Sequence, residues 1–94
     1  MNIAAYRAFL EKHVEDLNRT PAPRIYLKDF SDAELMDFVE NGITARQREA
    51  ICIRFSSTIT PYAKVGEQMG VTGNCARQFV HNTIRAFLVN FRER

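Results

Sequence analysis

Apolar residues recur at steps of three and four along most of this chain, which is the spacing of one face of an α-helix. The first such stripe consists of Ile3, Tyr6, Leu10, Val14 and Leu17, with Phe9 at its edge. Two prolines within residues 18–23 end this helix, because proline cannot continue a helix interior. The apolar run at residues 25–27 is too short to assign to a strand or an irregular segment.

Two capping boxes mark the starts of the next two helices. Ser31 precedes Glu34 by three residues, and Thr44 precedes Gln47 by the same spacing. At that distance the two side chains satisfy each other's free backbone N–H groups. The Asn-Gly pair at residues 41–42 ends the first of these helices, since glycine and asparagine suit a helix C-terminus.

A tight turn between two helices is the most informative feature of the chain. Pro61 suits the first position of a helix, where its missing N–H costs nothing. Gly70 suits the left-handed residue that ends this helix, and Thr72 can cap the next one. Gly66 has no side chain to hold the two helices apart. The pattern predicts a DNA-binding helix-turn-helix over residues 62–81.

The last predicted helix runs from residue 73 to about residue 91. The sequence therefore predicts an all-α fold, a small helical domain of about five helices with a C-terminal helix-turn-helix.

The last helix has an apolar side and a polar side. The apolar side is formed by Ala76, Phe79, Val80, Ile84, Phe87, Leu88 and Phe91. On the opposite side, at spacings of three, four and seven, lie Asn74, Arg77, Gln78 and His81. Arginine pairs with the O6 and N7 of guanine, and asparagine or glutamine with the N6 and N7 of adenine.

The predicted base-reading residues are Gly73, Asn74, Arg77, Gln78 and His81. A polar helix face that only meets water is the alternative. The glycines and the threonine of the turn favour DNA.

A second set of residues is placed to hold DNA phosphates, mainly around the start of the preceding helix. This set consists of Thr60, Tyr62, Lys64, Thr72 and Arg85.

The net charge is +2, but the charged residues are unevenly distributed between the two halves of the chain. Residues 1–42 contain five Lys or Arg and eight Asp or Glu, whereas residues 43–94 contain eight basic and three acidic residues. We therefore divide the chain into an acidic N-terminal helical segment (1–42), used for packing or dimerisation, and a basic DNA-binding region (43–94). A basic half that contains a helix-turn-helix is typical of a phosphate-binding module.

Other kinds of chemistry find little support in the sequence. His13 has Glu11 and Glu15 as sequence neighbours, but on a helix they point in other directions, and His81 has no carboxylate three or four residues away. Cys52 and Cys75 lack metal-ligand spacing. We expect no enzyme activity, no cofactor and no metal. The sequence has no apolar run of membrane-spanning length and no signal-peptide layout, so we expect a cytoplasmic protein without membrane contact.

Residues 43 to about 88 resemble the fourth conserved region of housekeeping-type bacterial sigma factors. The similar segments read ITARQRE at 43–49, IRF at 53–55, VGEQMGVT at 65–72 and Arg-Gln at 77–78. That family typically has Arg and Glu directly after the turn threonine, where this chain has Gly73 and Asn74. The resemblance implies promoter DNA as a partner. At this length we expect no complete sigma factor.

A shorter segment is similar to the recognition helix of TrfB-type repressors of broad-host-range plasmids. The similar residues are MGVTG at 69–73, Gln78, Val80-His81 and Ala86-Phe87. Those proteins are small dimeric repressors, so this resemblance implies a homodimer on double-stranded DNA.

The function predicted from the sequence is a sequence-specific transcriptional regulator, a repressor that acts as a homodimer through a major-groove recognition helix. The dimer is expected because one small module makes few contacts. Its interface would be either the first helix or the tail residues Phe87, Leu88 and Phe91; the tail is favoured, because the first helix is expected to pack on its own domain. The alternative is an adaptor, like sigma region 4 or an anti-sigma factor, that acts by contact with RNA polymerase.

Overall fold

The part of the chain that the structure describes contains five α-helices, one for each helix that the sequence predicts. The computed structural model describes residues 1–17 and 27–92, with side chains for residues 1–14 and 27–90. In chain order the elements are α1 (Ile3–Leu17), a 3-10 helix (Leu27–Asp29), α2 (Asp32–Asn41), α3 (Ala45–Arg54), α4 (Tyr62–Met69) and α5 (Gly73–Arg92). The described residues contain no strand, so the predicted all-α class is confirmed. The predicted break at residues 18–23 lies outside the described residues.

Both predicted capping boxes are present. The Ser31 hydroxyl accepts from the Glu34 N–H, and the Glu34 carboxylate accepts from the Ser31 N–H, each at 3.1 Å. Thr44 and Gln47 make the same reciprocal pair at the start of α3, at 3.2 and 3.0 Å. These bonds satisfy donors that have no partner within the helix, and thereby fix where α2 and α3 begin.

Pro61 was predicted to be the first residue of α4, but α4 begins one residue later, at Tyr62, and Pro61 is its N-cap. Its ψ of 144° is extended, so it caps α4 from outside and is not the first helical residue. Its carbonyl accepts from the N–H groups of Lys64 and Val65, both at 3.0 Å. The absent proline N–H is harmless at either position.

The core is a single cluster to which both halves of the chain contribute. Its buried members include Tyr6, Leu10, Leu35, Phe38, Ile51, Val65, Val80 and Phe87. The Tyr6 hydroxyl donates to the Thr83 hydroxyl at 3.1 Å, and Thr83 donates to the Val80 carbonyl at 2.6 Å. Burial raises the pKa of Tyr6, so its hydroxyl stays protonated and able to donate. This bond joins α1 to α5 inside the core.

Both apolar segments considered for the dimer interface pack within the chain, as expected for the first helix but not for the tail. Tyr6, Leu10 and Val14 of α1 are buried, as are Phe87 and Leu88 of α5. The predicted tail interface is therefore not available at residues 87 and 88, because α2 and its neighbours cover them. Phe38 of α2, for example, contacts Phe87 edge to face, with the ring centroids 5.4 Å apart. The side chain of Phe91 lies outside the described residues.

Helices α4 and α5 cross in direct backbone contact. Gly70 ends α4 in the left-handed conformation, with φ 72° and ψ 30°. The Val71 N–H donates to the Gly66 carbonyl at 2.8 Å, which closes the turn as in a Schellman motif. A Cβ on Gly66 would lie 2.7 Å from the carbonyl carbon of Thr72. A Cβ on Gly73 would lie 3.1 Å from the Ala63 Cα. Glycine at 66 and 73 is what allows the crossing.

None of the described helices has the length and apolar character needed to span a bilayer.

Gly66→Ala tests the backbone contact. Alanine favours a helix interior over glycine by about 1 kcal/mol. Here the new methyl group would meet backbone atoms of residues 71 and 72 at 2.7 Å, and backbone cannot yield as a flexible side chain does. We expect the steric effect to win and to lower the free energy of unfolding by about 1–3 kcal/mol. Urea denaturation measures this change.

Gly70→Asn is the matched control, because asparagine tolerates the left-handed conformation and position 70 has open space around it. We expect this variant to lose less stability than Gly66→Ala. A Gly66→Ala protein as stable as the wild type would contradict the close approach of the two helices.

Candidate nucleic-acid interface

Three of the predicted base-reading residues share one exposed face of α5. Asn74, Arg77 and Gln78 are all exposed. The Arg77 guanidinium donates from Nη2 to the Asn74 side-chain oxygen at 3.2 Å, so the two side chains are already oriented toward each other. Asn82 is exposed one turn beyond Gln78 and extends the same face. The sequence prediction omitted Asn82, although its spacing of four from Gln78 would have identified it.

The crossing of the two helices brings exposed polar residues of both to the same place. Gly73 faces Ala63, and the residues that directly follow this contacting pair are Asn74 and Lys64. Both are exposed. The Thr72 hydroxyl accepts from the Cys75 N–H at 3.0 Å and caps α5, as predicted. Lys64 in the first turn of α4 and Asn74 in the first turn of α5 are therefore each next in sequence to the point where the two helices touch.

The other two predicted base-reading residues, Gly73 and His81, do not lie on the exposed face of α5. A side chain at position 73 would point at α4, so Gly73 belongs to the inner side of the helix pair. His81 is half-buried in an aromatic cluster with Phe9, His13 and Tyr62, at ring-centroid distances of 5.4, 5.0 and 6.4 Å. Helix α1 lies against this side of α5 and covers it. Helical spacing alone does not reveal such a neighbour.

The surroundings of His81 lower its pKa. Burial is the largest cause, and the nearby positive charges of His13, Arg77 and Arg54 act in the same direction. The ring is therefore held neutral in the folded protein, and its position in the cluster suits a neutral ring.

The exposed cations of this region differ from those that are engaged in the fold. Arg46 pairs with Glu49 at 3.1 Å and donates to the Met69 carbonyl at 3.1 Å. Arg48 donates to the carbonyls at residues 39 and 40. Lys64, Arg77 and Arg85, in contrast, are exposed and make no ion pair with any residue in the described ranges. These three cations keep their full charge for an external anion.

The remaining predicted phosphate residues lie around Arg54, the last residue of α3. Thr60 and Tyr62 are both half-buried. The Arg54 guanidinium donates to the Thr60 carbonyl at 2.7 Å and lies over the Tyr62 ring, 4.0 Å from its centroid. The sequence prediction gave Arg54 no role, because a single arginine at a helix end carries no distinguishing signal.

No group of three or more metal-ligating side chains occurs within the described parts of the chain. Comparisons of the chain with protein-family models, curated proteins and solved structures found no match.

The lowered pKa of His81 predicts how stability depends on pH. In the unfolded chain this histidine titrates near its ordinary value of 6.5. As the pH falls below that value, the unfolded chain takes up a proton that the folded protein resists, so the free energy of unfolding decreases. We expect denaturation experiments to show a loss of stability between about pH 7 and about pH 5.5.

His81→Gln should flatten that loss, because glutamine does not titrate. An unchanged pH dependence in this variant would show that other groups cause the effect.

Proposed function

We propose that the protein is a sequence-specific regulator of transcription that binds double-stranded DNA, with α5 as the recognition helix in the major groove. The observation that carries this proposal is the exposed polar face at the start of α5. Asn74, Arg77 and Gln78 stand side by side there, immediately beside the α4–α5 crossing. A helix-turn-helix uses the first turns of its second helix to contact base edges.

The residue types of this face suit base recognition. A guanidinium forms a bidentate pair with the O6 and N7 of guanine, and a carboxamide does so with the N6 and N7 of adenine. The bond between Arg77 and Asn74 limits the rotamers of both side chains before DNA arrives. Less side-chain entropy is then lost on binding.

Phosphate contacts would come from the surrounding residues. Lys64 on α4 and Arg85 on α5 are exposed cations, and the Thr72 hydroxyl can still donate because its oxygen accepts the capping bond. Such contacts fix the position of the helix on the duplex and supply most of the salt-dependent affinity.

A solvated polar face is the plain alternative to DNA binding. Two features favour DNA. Lys64, Arg77 and Arg85 are exposed cations that form no ion pair among the described residues, so they can contact an external anion. Gly66 and Gly73 also bring α4 and α5 close enough for both to reach one groove.

The protein would act in the cytoplasm as a repressor and as a homodimer. One recognition helix makes few contacts, and two copies on half-sites about one DNA turn apart would double them. With Phe87 and Leu88 buried, the second copy would need another surface. RNA polymerase is the alternative partner, in keeping with the resemblance to sigma region 4.

Binding to duplex DNA without polymerase tests the proposal. Selection from a random duplex pool should yield a shared sequence, and affinity for that sequence should fall steeply with salt. Selection without enrichment, together with a salt slope near zero, would contradict the proposal and favour the polymerase adaptor. Light scattering on the free and DNA-bound protein gives the number of copies.

Arg77→Ala distinguishes base reading from general attraction to DNA. We expect a loss of about 1–3 kcal/mol on the selected sequence and a relaxed preference at one base pair. On random DNA the loss should be smaller, because only the base contact is specific. Competition binding with selected and random duplexes measures both.

Lys64→Ala is the matched comparison on α4. It should weaken binding to all sequences alike and lower the salt slope by about one. Both side chains are exposed, so the stability of the fold should change little in either variant. Equal losses on selected and random DNA for both variants would show that Arg77 does not read a base.

A further inference from the structure

Arg54 makes three contacts that meet at the start of α4. Its Nη1 donates to the Thr60 carbonyl at 2.7 Å, and its guanidinium carbon lies 4.0 Å from the centroid of the Tyr62 ring. Its own carbonyl accepts from the Thr60 N–H at 3.0 Å. Arg54 therefore holds Thr60 from both the main chain and the side chain, and Tyr62 through its ring.

The loop that leads into α4 is closed by the same region. Phe55 and Ile59 form an isolated antiparallel bridge. The hydroxyl groups of Ser56 and Thr60 lie 3.3 Å apart, and the Ser56 hydroxyl also donates to the Thr58 carbonyl at 2.8 Å. The loop is thus short and held by its own hydrogen bonds, and Arg54 holds Thr60, near the end of the loop, close to Tyr62 at the start of α4.

Placing an arginine here leaves one of its hydrogen-bond donors buried without a partner, a free-energy cost that an apolar residue would avoid. The Nε of Arg54 is buried and has no hydrogen-bond partner among the described residues. A buried donor without a partner is unfavourable, and each instance in a folded protein calls for an explanation. An apolar side chain could support the Tyr62 ring without that cost. The planar guanidinium can donate to the Thr60 carbonyl from one edge while its face lies over the ring, a geometry that a lysine ammonium does not reproduce.

We propose that Arg54 is a positioning residue for phosphate binding, which holds Thr60 and Tyr62 in the arrangement that receives a DNA phosphate. This inference rests on the proposed DNA-binding function. Arg54 acts through its two neighbours and does not contact the phosphate, because one end of its guanidinium is engaged by the Thr60 carbonyl and one face by the Tyr62 ring. Its role differs from that of Lys64, which offers an exposed charge.

The free protein provides the first test, which needs no DNA. In Arg54→Gln, amide exchange at Thr60 should become faster, and the NMR signals of the Tyr62 ring should shift and broaden. Arg85→Gln is the control, since Arg85 is exposed on α5, and it should leave both signals unchanged. Unchanged Thr60 exchange and Tyr62 signals in Arg54→Gln would overturn the positioning role.

Binding to duplex DNA provides the second test. Arg54→Gln should weaken binding about tenfold, the effect of losing one hydrogen bond to a charged group. The salt slope should not change, because the lost contacts come from neutral side chains that displace no counterions. Lys64→Gln should instead lower the slope by about 0.9. A lower slope in Arg54→Gln would show a direct phosphate contact and overturn the proposal.

A double-mutant cycle with Tyr62→Phe tests whether Arg54 affects DNA binding through the Tyr62 side chain. This change removes the tyrosine hydroxyl and keeps the ring over Arg54. If Arg54 acts through Tyr62, the double variant should bind no more weakly than Arg54→Gln alone. Losses that multiply would overturn the coupling.

Arg54→Lys keeps the charge but not the guanidinium, and it provides a second variant should Arg54→Gln fold poorly. We expect it to bind as weakly as Arg54→Gln. Wild-type affinity in Arg54→Lys would show that charge alone is needed and would overturn the proposal.

If the wild-type protein bound no duplex, the DNA-binding function would fail, while the exchange measurements would still decide whether Arg54 positions Thr60 and Tyr62.

Discussion

The direct backbone contact between α4 and α5 is the constraint on which the rest of the structure depends. A Cβ at position 66 would lie 2.7 Å from the backbone of turn residues 71 and 72, and a Cβ at position 73 would lie 3.1 Å from the Ala63 backbone of α4. Glycine at both positions therefore allows the close approach of the two helices. The left-handed Gly70 and the capping Thr72 fix the path between them. Val65 and Met69 of α4 are buried together with Ala76 and Val80 of α5, whereas Lys64 and Asn74 remain exposed.

Helix α5 has an inner side that packs in the core and an outer side that we propose contacts DNA. Its inner side packs on α3 and α4 through residues such as Ala76 and Val80, and Thr83 bonds to Tyr6 of α1. Its outer side keeps Asn74, Arg77 and Gln78 exposed. Because these exposed residues lie on a helix whose inner side is buried, the proposed contacts to DNA would come from a rigid element. The loop before α4 is held separately, through Arg54.

Local features of the sequence were sufficient to predict the helices. The two capping boxes, the left-handed Gly70 and the capping Thr72 depend on residues within one turn of each other, and the structure has all of them. Helical period also identified which side of α5 is apolar. Period does not show which helix covers a given side, so the half-burial of His81 beneath α1 and the burial of Phe87 and Leu88 were missed. The role of Arg54 was also missed, because its contacts with Thr60 and Tyr62 depend on the path of a loop.

An NMR titration of the isotope-labelled protein with a selected DNA duplex tests the central claim most directly. The proposed mode of binding predicts that the amide signals of Thr60 and of residues 62–64 and 72–78 shift on binding, with those of Arg77 and Gln78 among the largest. Signals of the acidic helix α2 should remain in place. Shifts confined to α2, or no shifts at concentrations that saturate the duplex, would contradict recognition of DNA by α5.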